Sequence, residues 1–429
     1  MQKPVLKKNV IIETLGCKLN QAETEMMATE FMRAGYRLVS DVREADIYIL
    51  NTCTVTHIAD RKSRQRLRLA QRHNPDILLV AIGCYAQRAA IELAGIGGVE
   101  LVLGNKEKMK LPQLLQEIKN TERAVELSAG CYNNLRNRTF IKAQDGCDNF
   151  CAYCIVPLVR GRQKSLPAEQ VIREIRQKTE SGYREAVITG TEIGSYSQGG
   201  LDLKGLLEAV LAETQIERLR LSSLQPHHIT QGLIKLWHNP RLCPHFHLSL
   251  QSGSNSVLKR MKRRYSTDDY SKVVSLIRSV IPKAAITTDV IVGFPGESQA
   301  EFEQSHSFCK QVGFARIHVF PFSSRPGTKA AEMLEQIDAV VKKQRSQKMI
   351  TLAEESAHSF RRSFLGKTIH VLWEQKKKGI WSGLTDNYIR VYTRSKEDLS
   401  NKITKVRLEK LYRDGAWGKI KIKVYKGDI

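Results

Sequence analysis

Cys147-Asp148-Asn149-Phe150-Cys151-Ala152-Tyr153-Cys154 sets three cysteines in a Cys-x₃-Cys-x₂-Cys spacing with no fourth beside them. Three thiolates can hold three corners of a [4Fe–4S] cluster and leave one iron open to an outside ligand. An electron-transfer protein would close that corner with another cysteine, so the open corner points to catalysis. A zinc site is the competing reading, but structural zinc usually comes with two Cys-x₂-Cys pairs, or one pair and two histidines. The chain has no second pair. The stretch also follows the first of six strand-like apolar runs, at residues 140–143, 186–189, 218–221, 246–250, 286–292 and 316–320. Helical segments, among them 168–178, 203–212, 266–280 and 300–309, separate the runs. Six βα units with no closing pair predict an open (βα)₆ barrel, an incomplete relative of the eight-unit barrel. The cysteine loop then falls at the carboxyl-end mouth, where barrel chemistry sits.

A second trio, Cys17, Cys53 and Cys84, lies upstream in Thr14-Leu15-Gly16-Cys17-Lys18-Leu19-Asn20, Asn51-Thr52-Cys53-Thr54-Val55-Thr56 and Ile82-Gly83-Cys84-Tyr85. Each follows an apolar, β-branched run, at residues 10–14, 47–50 and 77–82, and charged stretches of helical spacing, 23–34 and 59–72, separate the runs. That alternation predicts a β-α-β-α-β unit with a parallel sheet. The carboxyl ends of such strands share one edge, where ligands bind. Cysteines 36 and 31 residues apart in sequence are therefore expected to converge. Three unrelated buried thiols are the alternative, since free cysteine is among the most buried residue types. They would not be expected three times at one topological point, each beside Gly or Asn.

The Cys147 motif, with Tyr153 before its last cysteine, resembles the radical S-adenosylmethionine (SAM) enzymes, in which the open iron chelates SAM. Both trios in this order resemble the methylthiotransferases, radical SAM enzymes with a second cluster in an N-terminal domain. The likeness runs nearly end to end. It includes Ser63-Arg64-Gln65, Ile188-Thr189-Gly190-Thr191-Glu192-Ile193-Gly194-Ser195-Tyr196, His247-Leu248-Ser249-Leu250-Gln251-Ser252-Gly253-Ser254 and Asp289-Val290-Ile291-Val292-Gly293-Phe294-Pro295-Gly296-Glu297. The stretches around Cys17 and Cys53 are most similar to the branch that modifies N6-threonylcarbamoyladenosine at position 37 of tRNA. An isopentenyladenosine tRNA, a ribosomal-protein aspartate, or a non-catalytic iron–sulfur or zinc RNA-binding protein are the alternatives. The resemblance implies two [4Fe–4S] clusters, one on Cys147, Cys151 and Cys154 and one on Cys17, Cys53 and Cys84. It also implies SAM as radical source and methyl donor, with contacts from Tyr153, Gly190, Thr191, Glu192, Gln251 and Gly293. Gln225 stands where many relatives have Glu, so no contact is carried over to it. In the family's scheme, SAM cleaved at the first cluster yields the radical that takes the C2 hydrogen, and the second cluster presents the sulfur. Such a hydrogen is far too weakly acidic for a side-chain base, and general acid–base catalysis adds only about 10²–10⁴-fold.

Composition fits a polyanionic partner. The formal net charge is +24, with 68 Lys plus Arg against 44 acidic residues. Such an excess favours nucleic acid through counterion release. Residues 361–429 hold 18 basic and 7 acidic residues, a net of +11 in 69 positions. Short alternating runs there, at 368–374, 379–384, 388–392, 404–411 and 418–424, predict a small antiparallel barrel. By resemblance this is an OB-like TRAM domain that binds RNA. Its Trp381, Tyr388, Tyr392 and Trp417 suit either base stacking or the barrel's own core.

The expected organisation is an N-terminal domain over 1–119, a linker over 120–138, a radical SAM core over 139–363 and the TRAM domain over 364–429. No apolar run is long enough to span a bilayer, there is no lipidation motif or signal-peptide core, and nine cysteines suit a reducing compartment. The expectation is a cytoplasmic monomer, served by an electron donor and a sulfur source that the sequence does not identify. Arg160 and Arg162 are candidates for a SAM carboxylate, a tRNA phosphate or plain solvation. Cys131, Cys243 and Cys309 read as ordinary thiols, and His227, His228, His245 and His247 are assigned no chemistry.

Overall fold

In the computed structural model, residues 8–117 and 137–421 are described. The chain begins with β1 (Asn9–Thr14), α1 (Lys18–Arg33), β2 (Ile47–Thr52), α2 (His57–His73), β3 (Leu78–Gly83), α3 (Cys84–Arg88) and β4 (Val99–Leu103). These four strands pair in parallel in the order 1-2-3-4, with a two-residue strand at Arg37–Leu38 outside β1. All six residues of β2 are buried, because a parallel strand is covered on both faces. Met27 and Phe31 of α1 pack on one face of the sheet, and Leu67 and Ala70 of α2 on the other.

The next region runs through β5 (Arg138–Lys142), α4 (Val156–Arg160), α5 (Ala168–Glu180), β6 (Glu185–Thr189), α6 (Leu203–Glu213), β7 (Arg218–Leu221), β8 (His245–Leu248), α7 (Thr267–Val280), β9 (Ala285–Val292), α8 (Gln299–Val312) and β10 (Arg316–Pro321). The six strands lie within two residues of their expected positions. They form two parallel sheets, β7-β6-β5 and β8-β9-β10, joined where Leu219 bridges to Leu242. β5 and β10 keep free edges, so the barrel is open. Capping boxes at Ser266 and Ser298 start α7 and α8; each satisfies two backbone donors that a helix start would leave unpaired. The linker expected at 120–138 falls outside the described residues except for Asn137, which is buried, and Arg138, which already opens β5. Cys131 also lies outside them.

α9 (Ala339–Arg362) leads to β11 (Thr368–Lys377), β12 (Ile380–Thr385), β13 (Arg390–Thr393), β14 (Ile403–Tyr412) and β15 (Gly415–Ile420), a closed barrel of order 11-12-13-15-14. The small antiparallel barrel expected here is present, with one exception among its pairs: β13 and β15 run parallel. An odd number of strands cannot alternate direction all the way round a closed ring, so one neighbouring pair must be parallel. Trp381 lies in the barrel core. The ring of Tyr388 is 3.8 Å from the Arg220 guanidinium, at the junction with β7. Neither is free to stack on a base. Tyr392, Tyr412 and Trp417 form a row of edge-on rings, and the Arg413 guanidinium lies 5.7 and 5.1 Å from the first two.

Two surfaces join these regions. α1 lies along β5, where Glu25 accepts hydrogen bonds from the Thr139 hydroxyl (2.7 Å) and the Phe140 N–H (3.4 Å). At the amino-end floor of the open barrel, Arg218 donates to the carbonyls of Leu384 (3.1 Å) and His370 (3.0 Å), and Arg220 donates to that of Asp386 (2.8 Å). Arg220 also pairs with buried Glu185 at 3.0 Å. No helix among the described residues is long and apolar enough to cross a membrane.

Glu174 on α5 faces Glu25 of α1, and burial followed by that like charge pushes its carboxyl up to about 7, against partial relief from Lys178. A carboxyl raised above its unfolded value is more protonated in the folded chain, so its ionisation destabilises the fold as pH rises from about 4.5 through 7. Glu174→Gln is expected to raise stability by about 1–3 kcal/mol at pH 8 and by almost nothing at pH 4, read from urea midpoints.

Candidate active site: two facing cysteine trios

The Cys147 loop leaves the carboxyl end of β5 and is tied down by backbone bonds from Cys147 N–H to the Gly161 carbonyl (3.2 Å) and from Ala152 N–H to the Met261 carbonyl (3.0 Å). The Cys147 thiol donates to Glu192 at 3.0 Å, and its sulfur accepts from the Asn149 N–H at 3.4 Å. Cys151 Sγ accepts from the Arg263 guanidinium at 3.2 Å. Arg263 also donates to Gln225 (3.0 Å) and to the Tyr265 hydroxyl (2.9 Å), and its guanidinium lies 3.5 Å from the Tyr153 hydroxyl. Asn149 and the Gln225 amide close a ring on Glu192. Glu192 is itself placed by its N–H on the Gln144 side chain (2.9 Å). Gly190 is needed there, since a Cβ would stand 2.5 Å from the same Gln144 oxygen.

Of the expected contact residues, Tyr153 and Glu192 join this network directly, Gly190 borders it through Gln144, and Thr191 keeps a buried hydroxyl with no partner. Gln251 adopts φ +72° and exchanges backbone bonds with β9, through Asp289 O and Ile291 N (both 2.9 Å). Gly293 ends β9 at φ +69° with its N–H on Glu297 (2.7 Å), and the following Phe294 packs against Ala152 of the cysteine loop. Arg263 and Gln225 are additions. Arg263 hides in the basic run Lys262-Arg263-Arg264, which reads as a solvated face, and only its position beside a cysteine distinguishes it.

The second trio sits at the carboxyl ends of β1, β2 and β3, three neighbouring strands. Two amides clamp the loops together. Asn20 donates to the carbonyls of Leu15 (2.8 Å) and Thr52 (3.0 Å), and Asn51 donates to that of Asn20 (3.0 Å). Gly16, at φ +108°, lets its loop close on Cys53; a Cβ there would lie 2.9 Å from Cys53 Sγ. Cys84 accepts from Asn105 Nδ2 at 3.4 Å, and the same amide donates to the Val159 carbonyl (2.9 Å) across the domain boundary. Cys84 packs against Ile155 and Val159. The second trio therefore faces the first, one residue from Cys154.

Both trios suit a cluster. Burial raises the thiols of Cys53, Cys147 and Cys154 to about 12, so metal must draw off the protons, as ligand thiolates require. N–H donors already aim at Cys147, Cys151 and Cys84, the kind of contact that tunes cluster sulfurs. A single zinc holds thiolates at about 2.3 Å and so about 3.8 Å from one another. Among the described residues no cysteine belongs to a group of three ligand atoms within 4.8 Å of one another, a spread that suits the larger iron–sulfur cube. Cys243 and Cys309 are buried away from both trios, in the barrel wall.

A buried ion cluster joins the two sites. Glu23 of α1 takes Lys108 (2.5 Å), Lys142 (2.8 Å) and Arg160 (3.0 Å), and Asp145 shares Lys142 (2.6 Å) and Arg160 (2.9 Å). Arg160 is thus committed inside the protein, to Glu23 and Asp145. Arg162, 63 % exposed, lies over the Phe150 ring at 4.7 Å. A second tie joins Arg325, beyond β10, to Asp60 (2.5 Å) and Thr54 (3.2 Å), next to Cys53.

Residues 9–104 match the uncharacterized protein family UPF0004, and residues 141–309 match the Radical SAM superfamily. A relative from Bacillus subtilis (strain 168), named threonylcarbamoyladenosine tRNA methylthiotransferase MtaB, is 35% identical over 96% of this chain and 96% of its own. The chain belongs to the radical SAM methylthiotransferases. Within that family it falls in the branch bearing the MtaB name. A relative in Endomicrobium trichonymphae, named tRNA-2-methylthio-N(6)-dimethylallyladenosine synthase, is 31% identical over 96% of this chain and 100% of its own. The fold is similar to that of the radical SAM methyltransferase TsrM from Kitasatospora setae, solved with cobalamin and a [4Fe–4S] cluster. That match has a TM-score of 0.54 and 14% identity, and covers 76% of this chain and 77% of that one. As a radical SAM enzyme, this methylthiotransferase uses SAM and [4Fe–4S] chemistry.

Removing the carboxylate at position 23 leaves buried Lys108 without an ion-pair partner among the described residues, and Lys142 and Arg160 with Asp145 alone. Glu23→Ala is expected to cost about 3–5 kcal/mol in denaturant unfolding. Iron content of the anaerobically reconstituted variant should fall, because the cations that bracket the Cys147 loop and lie beside Cys84 lose their common anchor.

Proposed function

We propose that this methylthiotransferase acts on tRNA, converting N6-threonylcarbamoyladenosine at position 37 to its 2-methylthio derivative with two [4Fe–4S] clusters. The observation that carries the two-cluster reading is Cys84 packed against Ile155, the neighbour of Cys154. Two incomplete cysteine sets face each other across a buried domain boundary. When bound, a cluster with SAM on its open iron supplies a radical strong enough to take an aromatic hydrogen, chemistry that belongs to the cofactor. Cys147, Cys151 and Cys154 hold that cluster. Glu192 offers an acceptor and Arg263 a fork of donors on either side of the loop, the complement of an ammonium and a carboxylate such as the methionine part of SAM carries. Cys17, Cys53 and Cys84 would hold the second cluster, which would supply the sulfur chemistry. The threonylcarbamoyl substrate rests on the MtaB-named relative and on the stretches around Cys17 and Cys53.

The C-terminal barrel is proposed as the RNA-binding TRAM module. On its surface Arg407 pairs directly with Lys419 across β14 and β15, both exposed, with exposed Lys405 two positions along. Like charges directly opposite destabilise a sheet, so a polyanion is the natural counterpart. Arg407→Ser with Lys419→Ser is expected to weaken tRNA binding and flatten its salt dependence by about 1–2 in log–log slope, since each phosphate neutralised contributes roughly 0.7–0.9. An unchanged slope would move the RNA surface elsewhere.

Reconstituted protein is expected to hold two clusters. Cys151→Ala should lose one cluster and all SAM cleavage. Cys53→Ala should lose the other and keep abortive cleavage to 5′-deoxyadenosine without methylthiolation. Nucleoside mass spectrometry with tRNAs bearing threonylcarbamoyl- or isopentenyladenosine decides the substrate; product on the isopentenyl tRNA alone refutes it.

A further inference from the structure

A cavity of about 860 Å³ opens between the two free edge strands, β5 and β10, with α9 and the C-terminal barrel as its outer wall. It has the size of a small-molecule site, and its wall is cationic. Six lysines and arginines line it, against Glu354 and Asp414. Four of the six lack a carboxylate within ion-pair distance among the described residues: Lys18, Arg316, Arg361 and Arg413. Of these, Arg413 lies over the Tyr392 and Tyr412 rings, and the remaining two are paired, Arg138 with Glu374 and Arg390 with Glu374 and Asp414. Lys18 reaches in from the first turn of α1, one residue from Cys17. The nearest acids in its field are Asp289 and Glu185, opposed by Arg138 and Arg220. Asp289 is already taken by His247 at 3.1 Å, and Glu185 by Arg220 at 3.0 Å. Arg361 keeps a buried Nε with no partner.

The same cavity holds His247 and His318, whose ring nitrogens lie with an Asp289 oxygen in a group spanning less than 4.8 Å. A divalent cation there would meet the positive charges of Arg316 and Lys18, which both act on His318, so an anion suits the cavity better.

We propose that Lys18 is the specificity-determining residue that receives the carboxylate of the substrate's threonylcarbamoyl group, with Arg316 and Arg361 at the outer wall taking a flanking phosphate. This deepens, and rests on, the reading of the substrate as threonylcarbamoyladenosine. A prenyl group has no charge to satisfy Lys18, and burying it against unpaired cations would cost free energy. The placement is economical in another sense. The residue that recognises the acid is the chain neighbour of a cysteine at the sulfur-delivering site, so recognition of the right nucleoside and its approach to sulfur are one event.

The test is anaerobic binding of full-length reconstituted protein to two anticodon stem–loops, one with threonylcarbamoyladenosine and one with the threonine carboxylate replaced by carboxamide. Wild type is expected to prefer the acid by about tenfold or more, the usual worth of a charge-assisted hydrogen bond. Lys18→Gln should abolish the preference and Lys18→Arg should keep most of it, a pattern that mere misfolding would not produce. Arg316→Gln with Arg361→Gln should weaken both RNAs alike and flatten the salt slope. A Lys18→Gln protein that still prefers the acid overturns the assignment. So does a wild type with no preference that nonetheless methylthiolates the threonylcarbamoyl RNA, which leaves the substrate reading standing. Methylthiolation of isopentenyl RNA alone overturns both.

Discussion

Glu23 carries the geometry of this enzyme. One carboxylate on α1 holds Lys108 from its own domain and Lys142 and Arg160 from the barrel, all three at 3.0 Å or less. Lys142 ends the strand that leads into the Cys147 loop, and Arg160 ends the helix that follows it. The hub therefore grips the first trio on both flanks while its own helix begins at Cys17. Buried ion clusters give little net stability, because desolvation consumes most of the Coulomb gain. Their effect here is positional: the pairs with Lys142 and Arg160 tie α1 to the barrel in the register that places Cys17 opposite the Cys147 loop. The cluster also holds one more cation than carboxylate, and its Arg160 partly opposes the rise that burial imposes on the Cys17 thiol.

The orientation of the two trios follows from strand polarity. Parallel sheets place all their carboxyl ends on one edge, and each domain is parallel. Docking α1 along β5 turns the two edges toward each other. The Arg325–Asp60 tie, formed by the loop after the last barrel strand, fastens the opposite side of the same boundary. With contacts at both ends, the boundary resists rocking that would part Cys84 from Ile155.

Much of this was legible in the sequence, for identifiable reasons. Barrel strands such as 286–292 announced themselves as apolar, β-branched runs between helical periods, and the cysteines lay just past strand ends, so convergence followed from topology. What stayed hidden was buried charge. Arg218 and Arg220 alternate with leucines in β7, a pattern that resembles a half-exposed strand, yet both are buried beneath the C-terminal barrel. Glu23 looks like one acid among several on an amphipathic helix, and Arg263 like part of a solvated run. Arg160, open to a phosphate on sequence grounds, is internal. Such residues are recognisable only when partners distant in sequence, up to 166 positions away for Arg218 and Arg220, are in place. Trp381, an aromatic among lysines that suits either stacking or the core, proves to be core, because a five-stranded barrel needs large side chains at its centre.

The arginines under the C-terminal barrel have a mechanical consequence. Three guanidinium bonds to the carbonyls of Leu384, His370 and Asp386, with Tyr388 stacked on Arg220, leave that barrel no freedom to swing. Should RNA lie on the Arg407–Lys419 face as proposed, these bonds would set the span from that face to the cysteine trios, and reach would act together with the carboxylate contact in choosing the nucleotide.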